Sequence, residues 1–216
     1  MTHPVTRART FYSSWSVASI LLPFPCFTRS AASGFVQMPD RIRSLEPVMP
    51  ISIIEYRSIY QTEVVDLILE IQNVEFNLGI SLDDQSDLLD IDAYYTGSGG
   101  GFWLAVDATG QVVGTIGLQL KSGIGIMKKF FVPKAYRGAD TGCATMLFDT
   151  LLNHATSRGV ATIVLDTPAA ATRSHMFYQR HGFREIERHD LPITYDYPDR
   201  NSIFFRLDWK HQERIS

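Results

Sequence analysis

The residues best suited to chemistry lie between Lys128 and Ala155. There a short apolar strand, Lys128 to Val132, ends at Pro133 and leads through Arg137-Gly138-Ala139-Asp140-Thr141-Gly142 into an amphipathic helix. A turn that opens directly into a helix presents unpaired backbone N–H groups at the positive end of the helix dipole. Such a site suits a phosphate or pyrophosphate. Gly138 and Gly142 allow close backbone approach to a ligand, and Arg137 adds a guanidinium matched to phosphate oxygens. Two familiar phosphate motifs are excluded. A P-loop needs four residues between its glycines and a lysine after the second, but three separate them here and Cys143 takes the lysine's place. A dinucleotide fingerprint needs a third glycine at G-x-G-x-x-G spacing, which is absent. Taken alone, the unit is also what a tight connection without a ligand looks like.

The elements that must hold this turn are readable from residue 50 onward. Ile51 to Tyr56 predicts a first strand, and Ser58-Ile59-Tyr60-Gln61 has the form of a capping box before Val64, Leu67, Ile68 and Ile71 at helical spacing. Ser81 to Tyr95 predicts a second, acidic helix, followed by the glycine run Gly97 to Gly101, which reads as a linker or a lid. Phe102 to Val106 and Val112 to Leu120 predict a hairpin across Asp107-Ala108-Thr109-Gly110, with Val112, Ile116, Leu118 and Leu120 on one face. Ala144, Leu147, Phe148, Leu151, Leu152 and Ala155 form the apolar stripe of the helix after the turn, which Arg158-Gly159 stops. A strand at Ala161 to Asp166, a helix at Arg173 to His181, and closing strands at Phe183 to Arg188 and Ser202 to Trp209 complete the chain. The expected fold is α/β, one domain with a mixed sheet flanked by helices, in the order β-α-α-β-β-β-α-β-α-β-β.

Composition narrows the function. The 216 residues carry 45% hydrophobic and 20% charged side chains, near the average for a globular chain, with no apolar run long enough to span a bilayer. A net charge of -3 argues against nucleic acid as a partner, since phosphate neutralisation needs a basic surface. Cys26 and Cys143 cannot build a disulfide framework or a cysteine-rich zinc site, and the six histidines show no metal spacing. A soluble, cytoplasmic domain without metal is expected. Residues 1–49 stand apart, holding five of the 20 basic and two of the 23 acidic residues, so the remainder carries -6. Arg7, Arg9, the apolar stretch Trp15 to Leu22 and Ser30-Ala31-Ala32-Ser33 read as a secretory or transit signal, as a disordered extension, or as translated upstream sequence with the native start at Met38 or Met49.

A second motif sharpens the first. Tyr136-Arg137-Gly138 with Gly142, followed at this separation by Phe177-Tyr178 and Gly182-Phe183, resembles the GNAT superfamily of acetyl-CoA-dependent N-acetyltransferases over residues 51 to 210. The resemblance implies transfer of an acetyl group from acetyl-CoA to an amine in a ternary complex. It implies that Phe130, Phe131 and Val132 pair with the pantetheine arm, and that Arg137, Gly138, Ala139, Asp140, Thr141, Gly142, Cys143 and Ala144 hold the pyrophosphate. Asp140 departs from the family pattern, occupying its first required glycine, and a carboxylate there repels pyrophosphate unless it turns outward to cap the helix.

Tyr178 matches the tyrosine that protonates the departing thiolate, and Asp166 stands where some members carry the base that deprotonates the amine. An N–H near Phe131 or Val132 is the expected oxyanion donor. Ala171 replaces the asparagine that many members carry before the tyrosine. His175 reads as a solvent-facing helical histidine, and Cys143 as a small packed residue. Asp83, Asp84, Asp87, Asp90 and Asp92 read as a solvated acidic face or as an attractor for a cationic amine. The amine remains open between small molecule and peptide, and the family's habit of pairing through closing strands implies a homodimer. The rival reading is a non-catalytic acyl-CoA-binding sensor or interaction domain on the same fold.

Overall fold

The computed structural model of the chain describes residues 50–138, 140–197 and 201–209, so the extension at 1–49 and Ala139 lie outside the described residues. Among the described residues seven strands form one sheet: β1 (Ser52–Glu55), β2 (Gly101–Val106), β3 (Val112–Lys121), β4 (Ile124–Phe131), β5 (Thr162–Pro168), β6 (Arg184–Ile186) and β7 (Ser202–Asp208). Their spatial order is β1-β2-β3-β4-β5-β7-β6. All neighbours run antiparallel except β4 and β5. The helices are α1 (Gln61–Glu70), α2 (Ser86–Leu89), α3 (Cys143–Ser157) and α4 (Thr172–Arg180). The order of strands and helices is the expected one. Among the described residues no helix is long and apolar enough to cross a membrane.

The sheet is the middle layer between two cores. On one face α3 contributes Leu147, Phe148, Leu151 and Ala155 against Ile116, Leu118, Ile163 and Leu165, with Tyr178 and Phe183 beside them. Burying side chains of this size stabilises by about 1.5–3 kcal/mol each, and the 3.6-residue spacing brings all of α3's to one side. Gly142 starts that helix in the left-handed region at φ +63°, and Gly159 ends it at +74°. On the other face α1 buries Val64, Leu67 and Ile68 against Phe102, Leu104 and Val112.

Four expectations change. The capping box does not form: Tyr60 precedes α1 without a side-chain cap, and the Gln61 amide instead accepts from the Tyr56 hydroxyl and donates to the Leu88 carbonyl. The acidic helix shrinks to α2 and a separate wide turn at Asp92–Thr96, because Asp84 and Asp90 accept the amides of Ser81 and Ala93 and so favour turns. Val112 faces the α1 core while Ile116 and Leu118 face α3, since the β2–β3 register shifts between Ala105 and Val106. The glycine run is a packed entry to β2 and no lid. A Cβ on Gly100 would lie 1.8 Å from the Leu118 carbonyl oxygen.

A candidate active site at the strand splay

Parallel strands β4 and β5 pair only at Gly125–Ile163 and Ile126–Val164. Beyond those rungs they part, and a cleft of about 1590 Å³ occupies the gap. Lys129 sits in the left-handed region at φ +51°, where the β3–β4 register slips between Thr115 and Gly117 and the Thr115 hydroxyl donates to the Lys129 carbonyl at 2.7 Å. The irregularity bends β4 and re-aims its side chains, as bulges do.

Most of the residues expected at the donor side meet in this cleft. Phe130, Phe131, Val132, Arg137, Gly138 and Ala144 all line it. Phe130 leans on Phe177 with ring centroids 5.3 Å apart, and Val132 is buried. Gly138 has φ +122°, and a Cβ on it or on Gly142 would meet nothing within 4 Å, so the turn leaves open space at both positions. The Gly142 amide donates to the Gly138 carbonyl at 3.4 Å and the Met146 amide to the Gly142 carbonyl at 2.9 Å, and the first-turn amides between them have no carbonyl within helix α3 to bond. Asp140 is exposed at the turn and does not cap the helix. Thr141 turns inward, its hydroxyl donating to the Tyr136 carbonyl at 2.6 Å. Cys143 is fully buried, and burial pushes its thiol up to about 11, which makes it a packing residue.

Arg137 is oriented differently from what its place in the motif suggests. Its guanidinium makes a bidentate pair with Glu75, and its Nε donates to the Val132 carbonyl at 2.5 Å. Glu75 follows α1, so this pair ties the first helical segment to the donor turn across the cleft. The contact holds the Glu75 carboxyl below its ordinary pKa.

The opposite wall is made of buried charge. Asp166, near the end of β5, and Tyr178 of α4 both line the cleft. Burial pushes the Asp166 carboxyl up to about 6, although Lys128, the Tyr195 hydroxyl and Lys129 pull the other way. Burial also raises the Tyr178 phenol well above its ordinary value, and the Asp166 charge adds to that. The Tyr178 ring sits among Phe130, Phe177, Phe183 and Phe205, with centroids 5.5–6.5 Å away. His175 is partly covered, its Nε2 3.1 Å from the Pro168 carbonyl and its ring on Phe205, so it is not the solvent-facing histidine expected.

Two further groups escaped the sequence reading. Lys129 forms a buried pair with Asp87 at 3.1 Å and donates to Gln85 at 2.7 Å, while Asp87 accepts from the Tyr95 hydroxyl at 2.6 Å. Burial lowers the Lys129 pKa, with Asp87 opposing. Asp87 therefore belongs to no solvated face. The second group is Tyr195, in the connection before β7, whose ring is buried against Ile126 and Val164. Adjacent lysines inside a strand, Lys128 and Lys129, are the one available signal: strand neighbours face opposite sides, so one of them had to point inward. Among the described residues no cluster of His, Cys, Asp and Glu is suited to hold a metal.

Comparison with known proteins decides the family. The domain model described as "Acetyltransferase (GNAT) domain" matches residues 98–185. The crystal structure of a GNAT-family acetyltransferase from Staphylococcus aureus Mu50 superposes with a TM-score of 0.71 and 38% identity, over 74% of this chain and 100% of that one. This chain belongs to the GNAT family. A second match is an acetyltransferase from Streptococcus agalactiae 2603, at TM-score 0.70 and 35% identity over 74% of this chain and 98% of that one. The N-acetylaspartate synthetase of Danio rerio is 31% identical over 132 residues, which are 58% of this chain and 45% of that protein. The chain thus spans about half the length of the curated relatives it matches. Within the GNAT match fall β4, the donor turn, Asp166 and Tyr178, while Tyr195 and β7 lie beyond it.

Proposed function

We propose that this GNAT domain transfers the acetyl group of acetyl-CoA to an amine by direct transfer in a ternary complex. The observation that carries the reading is the splay of β4 from β5, with Asp166 and Tyr178 lining the same cleft as the glycine turn. The residues present fit the donor: left-handed Gly138 and Gly142 leave room, and α3 offers its orphan amides. Phe130, Phe131 and Val132 would flank the pantetheine arm, and the turn from Arg137 to Ala144, Ala139, Asp140, Thr141 and Cys143 included, would hold the pyrophosphate through its backbone. When bound, acetyl-CoA supplies an activated thioester carbonyl.

The chain's own residues then manage protons. Asp166, as carboxylate, takes a proton from the acceptor ammonium and leaves a neutral amine able to attack. As the new C–N bond forms and the C–S bond breaks, Tyr178 donates its phenolic proton to the leaving sulfur. Its raised pKa keeps that proton in place at neutral pH. The amine's second lost proton balances the one Tyr178 gives, so the products are an amide, a thiol and one proton released to solvent. The acceptor screen begins with L-aspartate, after the relative named N-acetylaspartate synthetase.

The test is thermal unfolding of the full chain with saturating acetyl-CoA, with adenosine as control. A hundredfold excess over Kd should add about 2.7 kcal/mol, or roughly 5–10 °C. A shift followed by acetylation of a screened amine, abolished by Tyr178→Phe, supports the transferase. A shift without turnover, indifferent to Tyr178→Phe, favours the acyl-CoA-binding sensor. No shift at millimolar acetyl-CoA removes both.

A further inference from the structure

Residues 191–197 lie against the open edge of the splay, and Tyr195 is the point where this segment enters the protein. Two lysines pin it. Lys121 donates to the Thr194 carbonyl at 2.9 Å and Lys128 to the Asp196 carbonyl at 2.7 Å, one on either side of Tyr195. The ring between those tethers packs on Ile126 and Val164 with 7% of its surface exposed, and the Lys128 ammonium lies 5.8 Å from its centroid. Its hydroxyl is buried in the cleft wall and has no hydrogen bond of ordinary geometry. Leaving a buried polar group in that state costs stability, and Phe removes the group without changing the ring.

Asp166 lines the same cleft as this hydroxyl, and it follows Val164, against which the Tyr195 ring packs, by two residues on the same face of β5. The two are close enough that Asp166 raises the Tyr195 phenol, after burial, while the hydroxyl pulls the Asp166 carboxyl down. Lys128 and Lys129 of β4 also act on Asp166, Asp166 in turn raises the Tyr178 phenol of α4, and Tyr197 acts on Tyr195. We propose that Tyr195 is a positioning residue for Asp166, its stranded hydroxyl closing on the carboxylate to hold it toward the arriving acceptor amine. The proposal rests on the reading of Asp166 as the base. It gives the 191–197 segment a function that the donor motifs do not touch, and it makes Lys121 and Lys128 the anchors of that function.

The experiment needs no acceptor. Carboxyl carbons of the full chain are titrated by NMR, the Asp166 signal being assigned from Asp166→Asn. Wild type should titrate near pH 6. In Tyr195→Phe the midpoint should rise by roughly 0.5–1 pH unit, because a donor to the charged form is lost. With an amine found in the screen, kcat should fall about tenfold while the KM for acetyl-CoA stays unchanged. At pH 4, where Asp166 is protonated, the melting temperature should hold or rise, because no hydrogen bond of the hydroxyl is lost there. An unmoved Asp166 midpoint overturns the proposal, and so does a large fall in melting temperature at that pH, which would assign the hydroxyl a purely structural bond. Full activity in Asp166→Asn would remove the base reading instead, independently of the titration.

Discussion

The two walls of the cleft are built on different principles. The wall proposed for the donor is backbone: open glycines at positions 138 and 142, the first amides of α3 and the splayed edge of β4. The acceptor wall is side chain: Asp166, Tyr178, Tyr195 and the Lys129–Asp87 pair, all largely withdrawn from water. Backbone donors are fixed by the fold, so on the proposed reading that wall should tolerate a residue such as Asp140. Buried titratable groups shift one another's proton affinity, so a single change there propagates. One wall can be read from a motif, while the other works only as an assembled whole.

This contrast can be broken by experiment, and the largest effect should come from the acceptor wall. Tyr178→Phe should lower kcat by roughly 10²–10⁴-fold with acetyl-CoA affinity retained, measured by steady-state kinetics and a thermal shift. A mild effect would return Tyr178 to the aromatic cluster as a packing residue. Next, Lys129→Met should leave Asp87 buried without its cation and destabilise by about 3–5 kcal/mol, read from urea unfolding. Stability unchanged in that variant would mean the pair is exchangeable for apolar contact.

A third test separates catalysis from stability at Asp166. Its folded pKa lies above the ordinary carboxylate value, so the protonated form is the one folding favours. The stability it contributes is therefore present at acid pH and lost as pH rises from about 4 through about 6. Asp166→Asn should stabilise the chain by roughly 1–3 kcal/mol at pH 7.5 and by almost nothing at pH 4. Activity should move oppositely: wild type loses kcat/KM as pH falls below about 6, because the base protonates. Equal melting temperatures for the two proteins at both pH values would argue that Asp166 is solvated.

The smallest effect belongs to the donor wall. Asp140 is exposed and its charge is screened by water, so Asp140→Gly should tighten acetyl-CoA binding only about threefold to tenfold by calorimetry. A hundredfold gain would show that the carboxylate faces the pyrophosphate directly, and the donor wall would no longer be indifferent to side chains.

The legibility of the chain follows the same division. Helix α3, the β2–β3 hairpin and α4 were readable because their apolar periodicity and their glycine stops at Gly159 and Gly182 are local properties. The capping box at Ser58–Gln61 misled because Gln61 found longer-range partners in Tyr56 and Leu88. The acidic run misled because hydrogen bonds from Asp84 and Asp90 compete with the helix that composition alone suggests. Arg137 was recognised as a residue type, but its engagement with Glu75 joins positions 62 residues apart. Tyr195 belongs to no periodic element and carried no signal.

The sequence by itself determined the order of strands and helices, the helix stripes, the glycine-bearing turn and the resemblance to an acetyltransferase family. Each of these depends on residues close together along the chain. The tertiary structure decided which charges are buried, that Lys129 faces Asp87, that Arg137 faces Glu75, and that Tyr195 lines the same cleft as Asp166. The reason is physical. Proton affinity and pairing depend on desolvation and on distance in space, and both are set only when β4, β5 and the 191–197 segment come together.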